Sequence, residues 1–155
     1  MKKSLALMPL LALCACGGLR IAEPPSRQVA LRLQAAPGLN LGPQDQPLAL
    51  VTRIYKLRQL AAFQRASFDS LLNGSDLGPD LIEMREVTLV PGQHYDALEK
   101  LDRDAAYIGV VGLFNAPCPQ QWRLAFPARE AERSGISVGL NSCAISAGAG
   151  ASPVR

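Results

Sequence analysis

The stretch Y-I-G-V-V-G-L-F at residues 107–114 decides the fold. It is short, apolar on both faces and followed at once by polar Asn115, so it reads as a central strand covered from both sides. Gly109 and Gly112 interrupt it. A glycine inside a strand marks a bend, or a place where something large packs close to the backbone.

Other strands surround it. Residues 48–57, L-A-L-V-T-R-I-Y-K-L, are apolar on both faces near their start and read as a second central strand. In residues 28–35, Val29, Leu31 and Leu33 alternate with Ala30, Arg32 and Gln34, the period of a half-buried strand. Residues 81–90 alternate imperfectly and end at the Pro91-Gly92 turn, and residues 93–98 return antiparallel. After a turn at 101–104 and a loop at 115–121, residues 122–126 and 136–145 supply the last strands. Between them, residues 59–72 change period: Leu60, Phe63 and Ser67, then Phe68, Leu71 and Leu72, fall at helical spacings, and Gly74 suits the position after a helix end. The expectation is a mainly β chain, a sandwich of about seven short strands with a short helical insert.

Residues 36–47, A-P-G-L-N-L-G-P-Q-D-Q-P, are too rich in Gly and Pro for regular structure. Leu39 and Leu41 nevertheless sit there. Apolar residues on a long loop either tuck back onto the core or face a partner; Leu39 is expected to tuck and Leu41 to be exposed.

The N-terminus carries a different signal. Lys2 and Lys3 precede an apolar run over residues 5–13, broken by Pro9. The run is far shorter than the ~20 apolar residues that span a bilayer, so it reads as a cleaved secretory signal. Leu13-Cys14-Ala15-Cys16 then has the form of a lipobox, with Ala15 at −1 and Leu13 at −3 to Cys16. Cys16 is the expected lipidated first residue, with Cys14 the competitor. Cleavage as an ordinary signal peptide nearby, leaving a soluble chain, is the other reading. The expected organisation is a signal peptide at 1–15, a lipidated tether at 16–26, a sandwich domain at 27–147 and a flexible tail at 148–155.

Composition bounds the function. Of 16 basic residues, Lys2 and Lys3 leave with the signal, so 14 remain against 13 acidic ones and the domain is near neutral. Dispersed, balanced charge gives no footprint for nucleic acid. Cys118 and Cys143 remain as an even pair in an oxidising compartment, and a disulfide is expected. Closing that loop would stabilise the fold by roughly 3–4 kcal/mol in the chain-entropy model. Two reduced, buried thiols are the alternative.

Catalytic patterns are missing. His94 is the sole histidine and has no cysteine beside it, so neither a metal site nor a cofactor is expected. There is no G-x-S-x-G, P-loop or G-x-G-x-x-G. Glu83 and Glu86 lie three apart on a strand and face opposite sides, which defeats cooperation on one substrate. Arg53, Tyr55 and Trp122 are expected to be structural. The sequence points to a binding or structural module without a small-molecule substrate, not to an enzyme.

An ordered set of residues resembles one known family. Leu39-Asn40, then R-I-Y-K-L at 53–57, Phe63, Phe68 and Leu71, E-V-T-L-V-P-G at 86–92, Y-I-G-V-V at 107–111 and Trp122-Arg123 look like the type VI secretion outer-membrane lipoproteins called TssJ, VasD or Lip. The resemblance implies a transthyretin-like antiparallel β-sandwich with a helical insert. It also implies acyl chains on Cys16 and an outer-membrane location facing the periplasm, since Gly17 and Gly18 stand where an inner-membrane retention Asp would. The implied partner is the periplasmic C-terminal region of the inner-membrane protein TssM, with TssL joined indirectly. The docking element would be the loop after the first strand: Leu39, Asn40, Leu41, Gly42, Pro43, Gln44, Asp45 and Gln46. Here the sequence departs from the family's L-N-P-D…R-P pattern, with Leu41-Gly42 in place of Pro-Asp and Gln46 before Pro47. Another lipid-anchored periplasmic module, such as a pilotin-like chaperone, is the alternative.

Overall fold

A computed structural model describes residues 26–74 and 76–154. Two four-stranded sheets face one another. The first has the order β4(His94–Leu101), β1(Arg27–Ala35), β7(Ile136–Leu140), β8(Ile145–Ala147); the second has β3(Leu81–Leu89), β2(Leu50–Leu57), β5(Tyr107–Gly112), β6(Arg123–Pro127). Among the described residues, three short α-helices, α1(Ala61–Arg65), α2(Phe68–Leu72) and α3(Ala128–Ser134), and one 3-10 turn at Gly78–Asp80 complete the elements. The architecture is the mainly β sandwich with a short helical insert that the alternating patterns imply.

The core follows from strand periodicity. Val29, Leu31, Leu33 and Ala35 point inward from β1 and are buried, while Ala30, Arg32 and Gln34 between them are exposed. From the other sheet, Ile54, Ile108, Val110 and Phe126 meet them, aligned by the pairs Ile54↔Val110 and Ile108↔Phe126. The outer face of β2 and β5 is also covered: Phe63 of α1 and Leu71 of α2 are buried on that side. Tyr55 and Phe63 meet edge to face at 5.4 Å. This double covering explains why β5 has no polar face.

Both glycines of β5 mark close packing. A Cβ on Gly109 would lie 2.7 Å from the Phe63 ring, and one on Gly112 would run into Phe114 and Ile145.

Several sequence expectations change. The sandwich is not wholly antiparallel: β7 pairs with β1 in parallel, Leu31↔Ile136 to Ala35↔Leu140. The crossover from β6 through α3 returns the chain to the end of the molecule where β1 begins, so β7 must run alongside it. Residues 136–145 are not one strand but β7, a turn at 141–144 and the start of β8. The expected flexible tail is seated against the domain over residues 148–154. Gly148, Ala151 and Val154 donate backbone N–H groups to the carbonyls of Ser137, Gly135 and Ala125, and Ala151 is buried. Small residues permit this approach, since a Cβ on Gly150 would stand 2.6 Å from the Gly135 carbonyl oxygen. The signal peptide, Cys14, Cys16 and the tether up to Pro25 lie outside the described residues.

Candidate functional site

The loop between β1 and β2 is built from its base upward. Leu39 is fully buried and fixes the base in the core. Asn40 follows in the left-handed region at φ 47°, a conformation asparagine tolerates better than most residues. Its side chain is buried and both its nitrogen and its oxygen are hydrogen-bonded. Nδ2 donates to the Ala49 carbonyl at 2.7 Å, and Oδ1 accepts the Asn115 N–H at 2.7 Å. One asparagine therefore ties both legs of the loop to the neighbouring loop at 113–121. Burying an amide is tolerable only when its groups are paired in this way.

The stem then closes. Leu41 and Pro47 form an antiparallel bridge, Leu48 donates to the Leu39 carbonyl, and Gly42 donates to the Gln46 carbonyl at 2.9 Å. The Gln46 side chain folds back so that Oε1 accepts the Gln44 N–H at 3.0 Å. A Cβ on Gly42 would collide with that Gln46 amide at 2.6 Å. Glycine at 42, Pro at 43 and a left-handed Asp45 (φ 56°) together give a defined tip, with Pro43, Gln44 and Asp45 exposed. The Gly and Pro content that argued against regular structure thus encodes a tight, hydrogen-bonded turn. Leu41, expected to be exposed, is half-buried: its N–H donates to the Ser142 carbonyl at 3.1 Å.

A second layer supports this stem. Asn40 donates its backbone N–H to the Asn141 carbonyl at 3.1 Å, and the Asn115 Nδ2 reaches the Leu41 carbonyl at 3.4 Å. The stem therefore leans on loop 113–121 and on the β7–β8 turn at 141–144. These two segments are joined to each other: Cys118 and Cys143 form a disulfide with Cα atoms 5.1 Å apart, and the Cys118 N–H donates to the Cys143 carbonyl. Loop, support and cross-link share one end of the sandwich. Chain entry at Arg27 lies at the other end of β1.

Arg123 has a role that sequence reading did not assign, and Arg53 is structural, as expected. Arg123, from β6, donates to the Phe63, Gln64 and Ala66 carbonyls at the close of α1 and stacks over Trp122 at 4.6 Å. Burial pulls its guanidinium below the ordinary arginine range, yet it stays charged. Arg53, from β2, pairs with Glu86 at 2.7 Å and donates to the Leu71 carbonyl in α2. Arg123 thus satisfies carbonyls at the end of the five-residue α1, while the Leu71 carbonyl also accepts the Gly74 N–H. The only sequence signal was an arginine inside an apolar strand near a short helix. A second ion pair, Arg85 with Glu99, spans the open side between the edge strands β3 and β4, with Arg85 beside the Tyr95 ring.

The candidate chemical residues are dispersed. His94 opens β4 and is exposed. Glu83 pairs with Lys56 and Glu86 with Arg53, and the strand period puts the two carboxylates on opposite faces. Among the described residues no three His, Cys, Asp or Glu side chains gather to hold a metal. The built feature is a rigid polar loop on a cross-linked support.

The family model described as type VI secretion lipoprotein, VasD, EvfM, TssJ matches residues 27–143. The chain belongs to this family. It is a family of secretion-system lipoproteins, not an enzyme family. No curated protein sequence matches the chain. Among solved structures, the T6SS lipoprotein TssJ1 from Pseudomonas aeruginosa is similar at 30% identity and a TM-score of 0.73, covering 84% of this chain and 100% of that one. Lip from Serratia marcescens, a membrane-bound component of the type VI secretion system, is similar at 26% identity and 0.66, covering 84% and 98%. A chain of the structure described as the T6SS protein TssM C-terminal domain from EAEC is similar at 25% identity and 0.70, covering 77% and 96%. The matched span takes in the loop, its support and both cysteines.

Proposed function

We propose that this lipoprotein docks the periplasmic C-terminal region of a TssM-type inner-membrane protein to the outer membrane. Three acts are required. Acyl chains on Cys16 hold one end in the outer membrane, the residues up to Pro25 bridge to the sandwich, and the loop Leu39 to Gln46 grips the partner. TssL joins through that partner. The domain faces the periplasm, where a disulfide is stable. Lipid on Cys16 needs more than one chain for lasting attachment, because a single acyl chain binds only marginally.

The observation that carries this reading is the loop's construction. Buried Leu39 and Asn40 hold a stem whose tip presents Pro43, Gln44 and Asp45 exposed. A loop pre-ordered in this way loses little conformational entropy on binding. Solved relatives that include a chain from a TssM C-terminal domain structure support the choice of partner.

The test removes residues 42–46 and closes the stem with two glycines. Co-purification with the TssM-type region should be lost while the thermal unfolding midpoint stays within a few degrees of the parent. Retained co-purification would refute the docking role. Independently, Cys16→Ser should leave the outer-membrane fraction; if it stays there and secretion continues, the anchoring half fails.

A further inference from the structure

The loop tip is not alone at its end of the sandwich. Loop 113–121 carries exposed Asn115, Pro119 and Gln120, and the 141–144 turn carries exposed Asn141. Both segments touch the stem directly, through Asn115 to Asn40 and Leu41, and through the Asn141 and Ser142 carbonyls. The disulfide sits between them. With Pro43, Gln44 and Asp45, this surface offers prolines, side-chain amides and one carboxylate. No basic residue lies in the tip, in 113–121 or in 141–144.

We propose that the docking face is composite: the 42–46 tip, loop 113–121 and the 141–144 turn act as one surface, and the Cys118–Cys143 disulfide is the positioning element that holds the tip for the partner. This rests on the docking role given above. The chemistry implies a partner surface that is largely uncharged and makes hydrogen bonds to amides. Such an interface associates with little electrostatic steering, so its affinity depends weakly on salt.

The mechanism is a matter of pre-organisation. Asn40 and Leu41 donate backbone N–H groups to a turn that is itself fastened through Cys143 to Cys118. Breaking the cross-link leaves 141–144 and 113–121 joined only by main-chain bonds, from the Cys118 N–H to the Cys143 carbonyl and from the Ile145 N–H to the Gln121 carbonyl. The two main-chain bonds and the Asn115 contacts that seat the stem then loosen together. The tip survives as a sequence but no longer as one conformation, and its affinity falls by the fraction of time it holds the binding geometry.

The experiment uses the full chain purified in detergent and the periplasmic region of a TssM-type protein, with affinity measured by biolayer interferometry. Three variants are compared with the parent: Cys118→Ser with Cys143→Ser, Gln120→Asp, and deletion of 43–45. The double serine variant should bind at least tenfold more weakly, and hydrogen exchange at the Asn40, Leu41 and Gly42 amides should accelerate while β2 and β5 stay protected. Gln120→Asp keeps a residue suited to the left-handed conformation found at 120 (φ 60°) and adds charge at the face, so it should also lose about tenfold or more. Parent affinity should change less than about threefold from low to high salt. Should the deletion abolish binding while Gln120→Asp and the folded serine variant bind like the parent, the composite face is wrong and the tip acts alone. A steep salt dependence overturns the uncharged partner surface. If the parent itself does not bind, the docking role fails first, and the composite face with it. Gln120→Asp keeps the idea testable even if the serine variant does not fold.

Discussion

Gly109→Ala is a small change with a large expected effect. Gly109 sits in β5 opposite Tyr55 and Ala125, on the face beneath α1. Its backbone is ordinary extended chain, so the cost of a methyl group is steric alone. The new Cβ would lie 2.7 and 2.8 Å from two atoms of the Phe63 ring, well inside the ~3.5–4.0 Å optimum for carbon contacts. Phe63 cannot swing away, because its ring is buried and packed against Tyr55 at 5.4 Å. The strain must pass to α1, which Arg123 holds in place by three carbonyls. Overpacking of this kind costs about 1–3 kcal/mol. With an unfolding entropy of about 2.1 cal/mol/K per residue over roughly 130 residues, the midpoint should fall by about 4–11 °C.

Urea and thermal unfolding of Gly109→Ala, Phe63→Leu and the double variant measure this directly. Leucine shortens the ring that collides, so the double variant should be less destabilised than the sum of the single ones by at least about 0.5 kcal/mol. A Gly109→Ala protein within about 0.3 kcal/mol of the parent, or strictly additive costs, would show that Phe63 does not pack onto Gly109.

Three further outcomes follow from other contacts. Arg123→Met keeps the aliphatic stem but removes the donors to α1; stability should drop by about 2 kcal/mol, and exchange should quicken in α1 before the sheets. Thr52 Oγ1 is buried without a hydrogen-bond partner among the described residues, so Thr52→Val should raise the urea midpoint, by about 1 kcal/mol in stability. A clear loss would mean that the hydroxyl is paired. Glu132 accepts two hydrogen bonds from Arg27, and these hold its carboxyl below the usual glutamate range. The unfolded chain then binds more protons as pH falls, so the contribution is complete above the unfolded glutamate value and is lost as pH drops through the folded one. Between about pH 6 and about pH 3 the parent should lose more stability than Glu132→Gln; equal slopes would show that the pair contributes nothing.

Much of this was legible because the same periods govern sequence and packing. Alternation in 28–35 located β1 to within one residue, and an apolar stretch without a polar face located β5 between the other sheet and the insert. The Gly109 and Gly112 interruptions pointed to the aromatic contacts that the structure contains. What escaped has physical reasons. Helix α3 is seven residues long and buries only Ala128 and Ala131, so its apolar stripe is too thin to register as a period. The parallel β1–β7 pairing depends on where a crossover leads the chain, which no local pattern records. The tail 148–154 is held by backbone donors and by the absence of side chains, so its small residues read as a free end. Leu41 is half-buried where its N–H meets the Ser142 carbonyl, about a hundred residues away in the chain.

On the proposed arrangement, load has a defined route through the molecule. The tether enters at Arg27 and the docking loop leaves after Ala35, so the two attachment points are the ends of a single strand, roughly 30 Å apart at the rise of extended chain. That strand is β1, hydrogen-bonded to β4 on one side and β7 on the other. A pull between membrane and partner therefore shears two ladders at once, whereas a terminal strand such as β8, paired on one side only, can peel a bond at a time. Both ends of β1 are reinforced. Arg27 is fixed by Glu132 and by the carbonyls of Asp102, Arg103 and Ala105; at the other end the loop is seated on the disulfide-joined segments. Single-molecule extension between residue 26 and the loop tip should accordingly need a higher force than extension between β8 and the same tip, and Arg27→Ala should lower the first without changing the second. Equal forces for the two geometries would mean that β1 is not the element that bears the load.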